Sequence, residues 1–422
     1  MFYYNRILDD SLKEYLEMVG AVLVVGPKWC GKTTTAKRHA KSVIEFQNPD
    51  KRDSYLELAN FKPSLLLEGE KPRLIDEWQI APVVWDAVRT SVDKSEDDGL
   101  YILTGSTSVD ESQIMHSGTG RISRLMMRPM SLFESKESNG KISLKDLFEN
   151  PDLDIDGIQS DLSIEDLVFA ACRGGWPDSL NKRTDHAKLF VAYNYVDSIC
   201  ESDVSSVDGV KRNPEIVRAI LRTYARNIST LTTNKTLISD IRSNFTEMSD
   251  ATFYSYVNAL ERLFVISNVD SWRPNVRSKS SIRASSKKEF IDPSIAVAAL
   301  NLSPRDLLFD LETFGFIFEN LCIRDLAVYS SLKRGHISYY RDRGGLEADC
   351  VIRLRDGRYG LIEFKLGSRE LDKGAKNLLK LNDLIKEKGF MEPSFLAILT
   401  GTEIAYTRPD GVKVIPIGTL RD

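Results

Sequence analysis

Apolar positions along the first third of the chain fall into short runs separated by helical spacing: AVLVV (21–25), SVIEF (42–46), RLID (73–76), LYILT (100–104) and RLMM (124–127). Short apolar runs alternating with amphipathic stretches predict strands and helices in turn, and therefore a parallel α/β sheet. From about 136 to 160 the pattern turns polar and acidic (ESKESNGK, ENPDLDIDG), as in a surface connection. Helical periodicity returns in IEDLVFAACR and HAKLFVAYNYVDSI, a helical lid. Three further helical stretches, PEIVRAILRTYARN, KTLISDIRSN and SDATFYSYVNALERLFVI, precede the polar segment VDSWRPNVRSKSSIRASSKKEF, which reads as a hairpin. Three helices and a hairpin suggest a winged helix-turn-helix. In the third helix Tyr254, Tyr256 and Leu260 recur at helical spacing and are expected in the core. Beyond it come the long helix FGFIFENLCIRDLAVYSSL and strands HISYYRD, ADCVIRL, YGLIEFK and FLAILT.

The expected fold is thus α/β: a P-loop ATPase parallel sheet over 1–135, a connection and helical lid over 136–205, a winged helix-turn-helix over 206–289, and a smaller α/β domain over 290–422. At 422 residues, with 42% hydrophobic and 28% charged, several ordinary globular domains are expected. Five scattered cysteines and four isolated histidines offer neither a zinc pattern nor a disulfide framework. With no long apolar segment, the expectation is a cytoplasmic protein without membrane contact. A net charge of −4 excludes a globally basic protein, yet residues 206–289 hold fourteen Lys/Arg against eight Asp/Glu. That segment could face a polyanion such as DNA.

Chemistry changes the picture most at Gly26-Pro27-Lys28-Trp29-Cys30-Gly31-Lys32-Thr33, which fits G-x-x-x-x-G-K-[ST] between an apolar run and a helix. Such a loop brings backbone N–H groups, here up to Thr34 at the helix start, onto phosphate oxygens; Lys32 meets the β- and γ-phosphates, and Thr33 ligates Mg²⁺. ATP and Mg²⁺ are therefore the expected ligands. In RLIDE, Asp76 would hold the metal and Glu77 would activate the attacking water. LYILTGSTS places Ser106 to position that water or sense the γ-phosphate, with Thr104 and Thr107 as alternatives. Among the arginines of GTGRISRLMMRPM, Arg121 is the first candidate for charge stabilisation, ahead of Arg124 and Arg128.

The segments RILDDSLKEYL, GPKWCGKTT, RLIDEWQ, LTGSTS, SGTGRISRLMMRPMSLFE and GGWPDSL, in this order, resemble the prokaryotic AAA-type ATPases that carry a C-terminal domain of unknown function. The resemblance implies that the sensor strand lies between the P-loop and Walker B strands. The family's loop usually has arginine where Lys28 stands, and Trp29 and Cys30 are expected to pack.

A second constellation lies near the C-terminus. Glu347-x-Asp349, then thirteen residues, then Glu363-Phe364-Lys365, with Glu319 on the preceding helix, resembles the core of PD-(D/E)xK, or restriction-endonuclease-like, nucleases. Asp349 and Glu363 would hold Mg²⁺, Lys365 would steady water or phosphate, and Glu319 would support the metal. Convergence depends on the turn: a two-residue Asp356-Gly357 turn pairs 350 with 363, whereas a three-residue loop with Gly357 left-handed pairs 349 with 363. Between Arg273 and Lys288 six cations (Arg273, Arg277, Lys279, Arg283, Lys287, Lys288) occur without an acid, as in a DNA-contacting wing or a solvated hairpin. The chain is expected to act on or near DNA, or else to be a nucleotide-controlled switch whose C-terminal domain is a protein-interaction scaffold; a homo-oligomer or protein partner fits either.

Overall fold

The computed structural model describes residues 3–105, 118–243, 245–246, 248–274 and 285–422. The alternating runs of the first third form five strands, β1 (Ala21–Val25), β2 (Ser42–Glu45), β3 (Arg73–Asp76), β4 (Tyr101–Gly105) and β5 (Ile122–Met126). Their spatial order is β2-β3-β4-β1-β5, with every neighbouring pair parallel. Parallel strands must be joined by crossovers, supplied here by α2 (Lys32–His39), α3 (Arg52–Phe61) and α4 (Val83–Asp93), with α1 (Leu8–Leu16) preceding β1.

Successive strand side chains point to opposite faces, so one strand serves two cores. Leu23, Ile75 and Leu103 pack with Trp85 and Val88 of α4, while Val22, Val24, Leu74 and Ile102 pack with Leu12 of α1 and Ala36 of α2. Each fully buried aliphatic side chain contributes about 1.5–3 kcal/mol relative to exposure, which holds the sheet rigid beneath the loops at its C-terminal edge.

The stretch 136–160 departs from its expected role as a surface connection. It holds the short strand β6 (Ile142–Ser143) and α5 (Leu144–Glu149), and buries Ile142, Leu144, Leu147, Phe148 and Ile155. The helical layer that follows comprises α6 (Ile164–Arg173), α7 (Pro177–Leu180), α8 (Asp185–Ser198), a π-helical turn Ile199–Asp203 and α9 (Val204–Ser206). Then come α10 (Pro214–Arg226), α11 (Asn234–Arg242) and α12 (Asp250–Arg262), the last two capped by Thr233 and Ser249. Antiparallel bridges Ile266–Phe290 and Val269–Lys287 form the stem of a ribbon, and α13 (Pro293–Leu300), α14 (Pro304–Phe309) and α15 (Leu311–Tyr329) follow. In α12, Tyr256 and Leu260 are buried as expected, but Tyr254 is 50% exposed.

The last unit is a six-stranded mixed sheet ordered β11-β12-β10-β9-β8-β7, from β7 (His336–Arg341), β8 (Glu347–Arg353), β9 (Tyr359–Lys365), β10 (Phe395–Thr400), β11 (Tyr406–Thr407) and β12 (Lys413–Pro416). Helix α16 (Leu371–Glu387) covers one face through Leu371, Ala375, Leu378 and Leu381. The terminal strand β13 (Leu420–Arg421) returns to pair with β6. One buried cluster runs from Leu132 through the middle helices to Leu420, so connection, helical layer and C-terminal sheet share a core. Among the described residues no helix is long and apolar enough to cross a membrane.

Candidate functional site

The loop after β1 wraps onto the start of α2 because its glycines accept backbone that other residues resist. Gly26 has φ 151° and Gly31 φ 102°, and a Cβ on Gly26 would stand 2.1 Å from the Met127 carbonyl oxygen. The buried Lys32 ammonium donates to the carbonyls of Gly26 and Pro27 at 2.9 and 2.7 Å, closing the loop on itself. Thr34 is exposed on the first turn of α2.

Because β4 separates β3 from β1, the ends of all three strands meet beneath this loop. The Thr33 hydroxyl donates to Asp76 Oδ1 at 2.7 Å, and the buried Thr104 hydroxyl donates to the same oxygen at 2.5 Å. Glu77 follows in a left-handed conformation, φ 57°, rare for a non-glycine residue. Its carboxylate accepts from Gln79 Nε2 at 2.5 Å and its backbone N–H reaches Thr104 Oγ1 at 3.4 Å. Burial pushes the Glu77 carboxyl above its ordinary range and the Asp76 charge adds to this, while the nearby Lys32 ammonium pulls the other way.

Around the loop are contacts that no local sequence pattern announces. Lys28 Nζ meets Asp203 Oδ1 at 2.7 Å, joining the loop to the π-helical turn. Trp29 packs against Tyr195, ring centroids 5.4 Å apart, and Tyr195 against Trp176 at 4.3 Å. Cys30 is buried with its thiol toward the Met127 carbonyl. Arg6 donates to the carbonyls of Cys30 and Arg128, both at 2.7 Å, and pairs with Glu134 at 3.1 Å.

Arg121 is not brought to this site. It precedes β5 at the edge of the sheet where β1 begins, opposite the loop, and its guanidinium bonds Asp93 at 2.5 Å. Arg128, by contrast, follows β5 at the loop's end of the sheet and reaches Ser267 Oγ at 3.4 Å. Arg124 lies exposed on β5 between them. Ser106 and Thr107 lie outside the described residues.

The C-terminal constellation does assemble. Leu354 and Arg358 close a three-residue loop at Arg355-Asp356-Gly357, with Gly357 at φ 95°. The register pairs Cys350 with Ile362 and so sets Asp349 opposite Glu363, with Lys365 two residues on. Asp349 Oδ2 accepts from the Phe364 N–H at 3.0 Å, and Glu363 Oε1 from Asn377 Nδ2 on α16 at 3.2 Å. Burial pushes the Glu363 carboxyl well above the carboxylate range, helped by the Asp349 charge and their shared hydrogen bond. Burial opposes ionisation of Asp349 too, but Lys287 and the Glu363 hydrogen bond outweigh it and bring it down to about 2.

The basic hairpin supplies the unexpected member. Lys287 and Lys288, expected to face solvent or DNA, are each 5% exposed. Lys287 Nζ donates to Glu319 Oε2 at 2.7 Å and lies 3.6 Å from Asp349 Oδ1. Lys288 bonds Asn234 Oδ1 at 2.9 Å and lies 5.5 Å from the centre of the Tyr224 ring. Carboxylates and an aromatic face outbid water for both, which their spacing among serines gave no reason to expect. Arg273 sits over the Tyr340 ring at 5.0 Å. Arg277, Lys279 and Arg283 lie outside the described residues. Asp349 and Glu363 were expected to hold a metal, but here a lysine ammonium stands between Glu319 and Asp349. Among the described residues no group of three or more His, Cys, Asp or Glu is arranged to hold a metal ion.

Comparison with known proteins divides the chain in three. Residues 19–136 match the AAA domain profile, 164–306 match a Domain of unknown function (DUF8612), and 314–420 match another (DUF4143). The first third is accordingly similar to an AAA domain. Over 424 aligned residues the chain is 23% identical to uncharacterized proteins Rv2008c of Mycobacterium tuberculosis (strain H37Rv) and Mb2031c of Mycobacterium bovis, covering 99% of this chain and 84% of each relative. Among solved structures it is similar to the Walker-type ATPase paby2304 of Pyrococcus abyssi, at 13% identity and TM-score 0.43, covering 70% of this chain and 96% of that one.

Proposed function

We propose that the chain is a Mg²⁺-dependent ATP hydrolase in which the loop Gly26–Thr33 takes the triphosphate, Thr33 and Asp76 hold the metal, and Glu77 activates water. The observation that carries this reading is the convergence of Thr33, Thr104 and Lys32 with the paired acids Asp76 and Glu77 beneath one loop. The donor set fits the metal, since a hydroxyl and a carboxylate are hard oxygen ligands, and they stand 2.7 Å apart. Bound there, Mg²⁺ would neutralise charge on the β- and γ-phosphate oxygens.

The remaining work falls to the chain itself. Lys32 exchanges two loop carbonyls for phosphate oxygens when nucleotide enters. Thr104 is a positioning residue: it holds Asp76 and supports the Glu77 backbone. Gln79 fixes the Glu77 carboxylate, which accepts the proton of the attacking water. Ser106 and Arg128 remain candidates for sensing the γ-phosphate and for stabilising developing charge, and the Lys28–Asp203 pair would pass the state of the loop to the helical layer.

A second reading, action on DNA through a winged helix at 206–289, is favoured by four cations (Arg273, Arg277, Lys279, Arg283) with no acid among them. The ribbon rather than α12 would make the contact, because the exposed positions of α12 include Asp250, Tyr254, Asn258 and Glu261 and no cation. Phosphate release measured in Mg²⁺ and in EDTA, with and without single- and double-stranded DNA, tests both. Release that requires Mg²⁺ is expected, and DNA stimulation would support the second reading. No release under any condition would sink the first.

A further inference from the structure

Between the N-terminal and C-terminal sheets lies a cavity of about 330 Å³, walled by α1, β5, the ribbon stem, α15 and the start of β7. Cations reach it from two separate parts of the chain. β5 is the edge strand of its sheet, and Arg124, Met126 and Arg128 follow at period two along it and its continuation, so both arginines come to the cavity wall. Arg334 arrives on the turn between α15 and β7, its backbone left-handed at φ 52°.

Little on the wall compensates these charges. Among the described residues Glu134 is the one acid lining the cavity, and it is already committed: it pairs with Arg6 at 3.1 Å and accepts from the N–H groups of Ile7 and Ser131 at 2.8 and 2.9 Å. The Arg128 guanidinium meets the Ser267 hydroxyl at 3.4 Å, and burial brings it down to about 10 with no opposing charge to hold it up. Arg334 lies over the Tyr15 ring at 4.9 Å and meets the exposed Glu14 carboxylate at 3.9 Å. Cations gathered against a wall of low dielectric focus positive potential into the space they enclose, and an anion relieves it.

The floor has a different character. Leu8, Ile323 and Val328 are buried and apolar, with Tyr15 beside them. A nucleic-acid strand tracking along surface cations makes no use of such a floor, whereas a small molecule with an anionic end and an apolar or aromatic body uses both. Ligand cavities begin at roughly 300 Å³, so this one admits a body of about mononucleotide size. Among anions, phosphate matches the planar fork of arginine.

We propose that this cavity binds a small organic phosphate, a phosphomonoester with an aromatic or apolar body, whose phosphate is taken by Arg124, Arg128 and Arg334 and whose body lies on Leu8, Tyr15 and Val328. No residue of the loop Gly26–Thr33 lines it, so the site stands or falls independently of ATP turnover.

Calorimetric titration of the full chain in EDTA with phenyl phosphate tests this. Wild type is expected to bind one molecule per chain, at least ~10-fold more tightly than inorganic phosphate, because the ring is buried. Arg124→Gln/Arg334→Gln should weaken binding at least ~10-fold. Ala327→Phe, which fills the cavity from half-buried Ala327 on α15 without touching a charge, should do the same, and Lys32→Ala should bind as wild type does. Circular dichroism verifies that each variant is folded. No binding by wild type, equal affinity for inorganic phosphate, undiminished binding in a folded arginine or Ala327→Phe variant, or binding lost with Lys32→Ala would each overturn the proposal. So would single-stranded DNA, titrated in parallel, that responds to both cavity variants while phenyl phosphate does not, which would assign the cavity to a nucleic-acid backbone.

Discussion

At the scale of single residues, Gly26 and Glu77 show how much of the nucleotide site is backbone. A Cβ at position 26 would collide with the Met127 carbonyl at 2.1 Å, and the residue's φ of 151° is open to glycine almost alone. Gly26→Ala should therefore abolish ATP binding and cost at least about 2 kcal/mol of stability; isothermal titration with ATP and a thermal melt check both, and normal affinity would refute it. Glu77 must be ionised to accept a proton, and burial raises its pKa. Without nucleotide or metal, the Glu77 carboxyl, followed by its side-chain carbon-13 shift, should therefore titrate above the ordinary range of a glutamate. Titration at the ordinary position would remove burial as the controlling factor. Gly357 was legible beforehand, since only a three-residue loop with a left-handed glycine could face Asp349 to Glu363. Lys287 was not. A Lys-Lys pair among serines reads as solvated, and the carboxylates that draw Lys287 inward lie 32 and 62 residues further along.

At the scale of elements, strands buried on both faces announce themselves as continuous apolar runs, which is why β1 and β4 could be located closely. The short partners were hidden: β6 and β13 have two residues each and exist only through their pairing with one another. For the same reason the segment 136–160 read as surface, because its polar majority masks the few side chains that enter the shared core. The ribbon divides in two. Its stem residues Lys287 and Lys288 are committed to protein partners, leaving Arg273, Arg277, Lys279 and Arg283 for any phosphate contact. Replacing those four with serine should lower the log–log salt slope of DNA binding by at most about one unit per cation, up to ~4 in all, at every sequence tested. An unchanged slope would assign the segment to solvent.

At the scale of the whole molecule, the nucleotide loop is tied to distant parts of the chain. Arg6 links it to the end of β5 and to Glu134, while Lys28 links it to Asp203, 175 residues away. Contacts of that separation leave no periodic trace, so they were beyond sequence reasoning even though the loop itself was plain. Lys28 is 36% exposed on its side chain, so screening limits the pair. A double-mutant cycle with Lys28→Ala and Asp203→Asn should show a coupling of up to about 1 kcal/mol in urea unfolding without nucleotide, and a smaller one with ATP bound. Strict additivity in both states would cut the proposed route from loop to helical layer.

The central claim is that one loop and two acids bind and hydrolyse ATP, with binding and chemistry assigned to different residues. Equilibrium ATP binding and steady-state phosphate release, measured side by side on wild type, Lys32→Ala and Glu77→Gln, test it directly. Glu77→Gln should bind ATP as wild type does while its turnover falls by on the order of 10² or more, whereas Lys32→Ala should lose affinity itself. Wild-type turnover in Glu77→Gln, or undiminished binding in Lys32→Ala, would contradict the account.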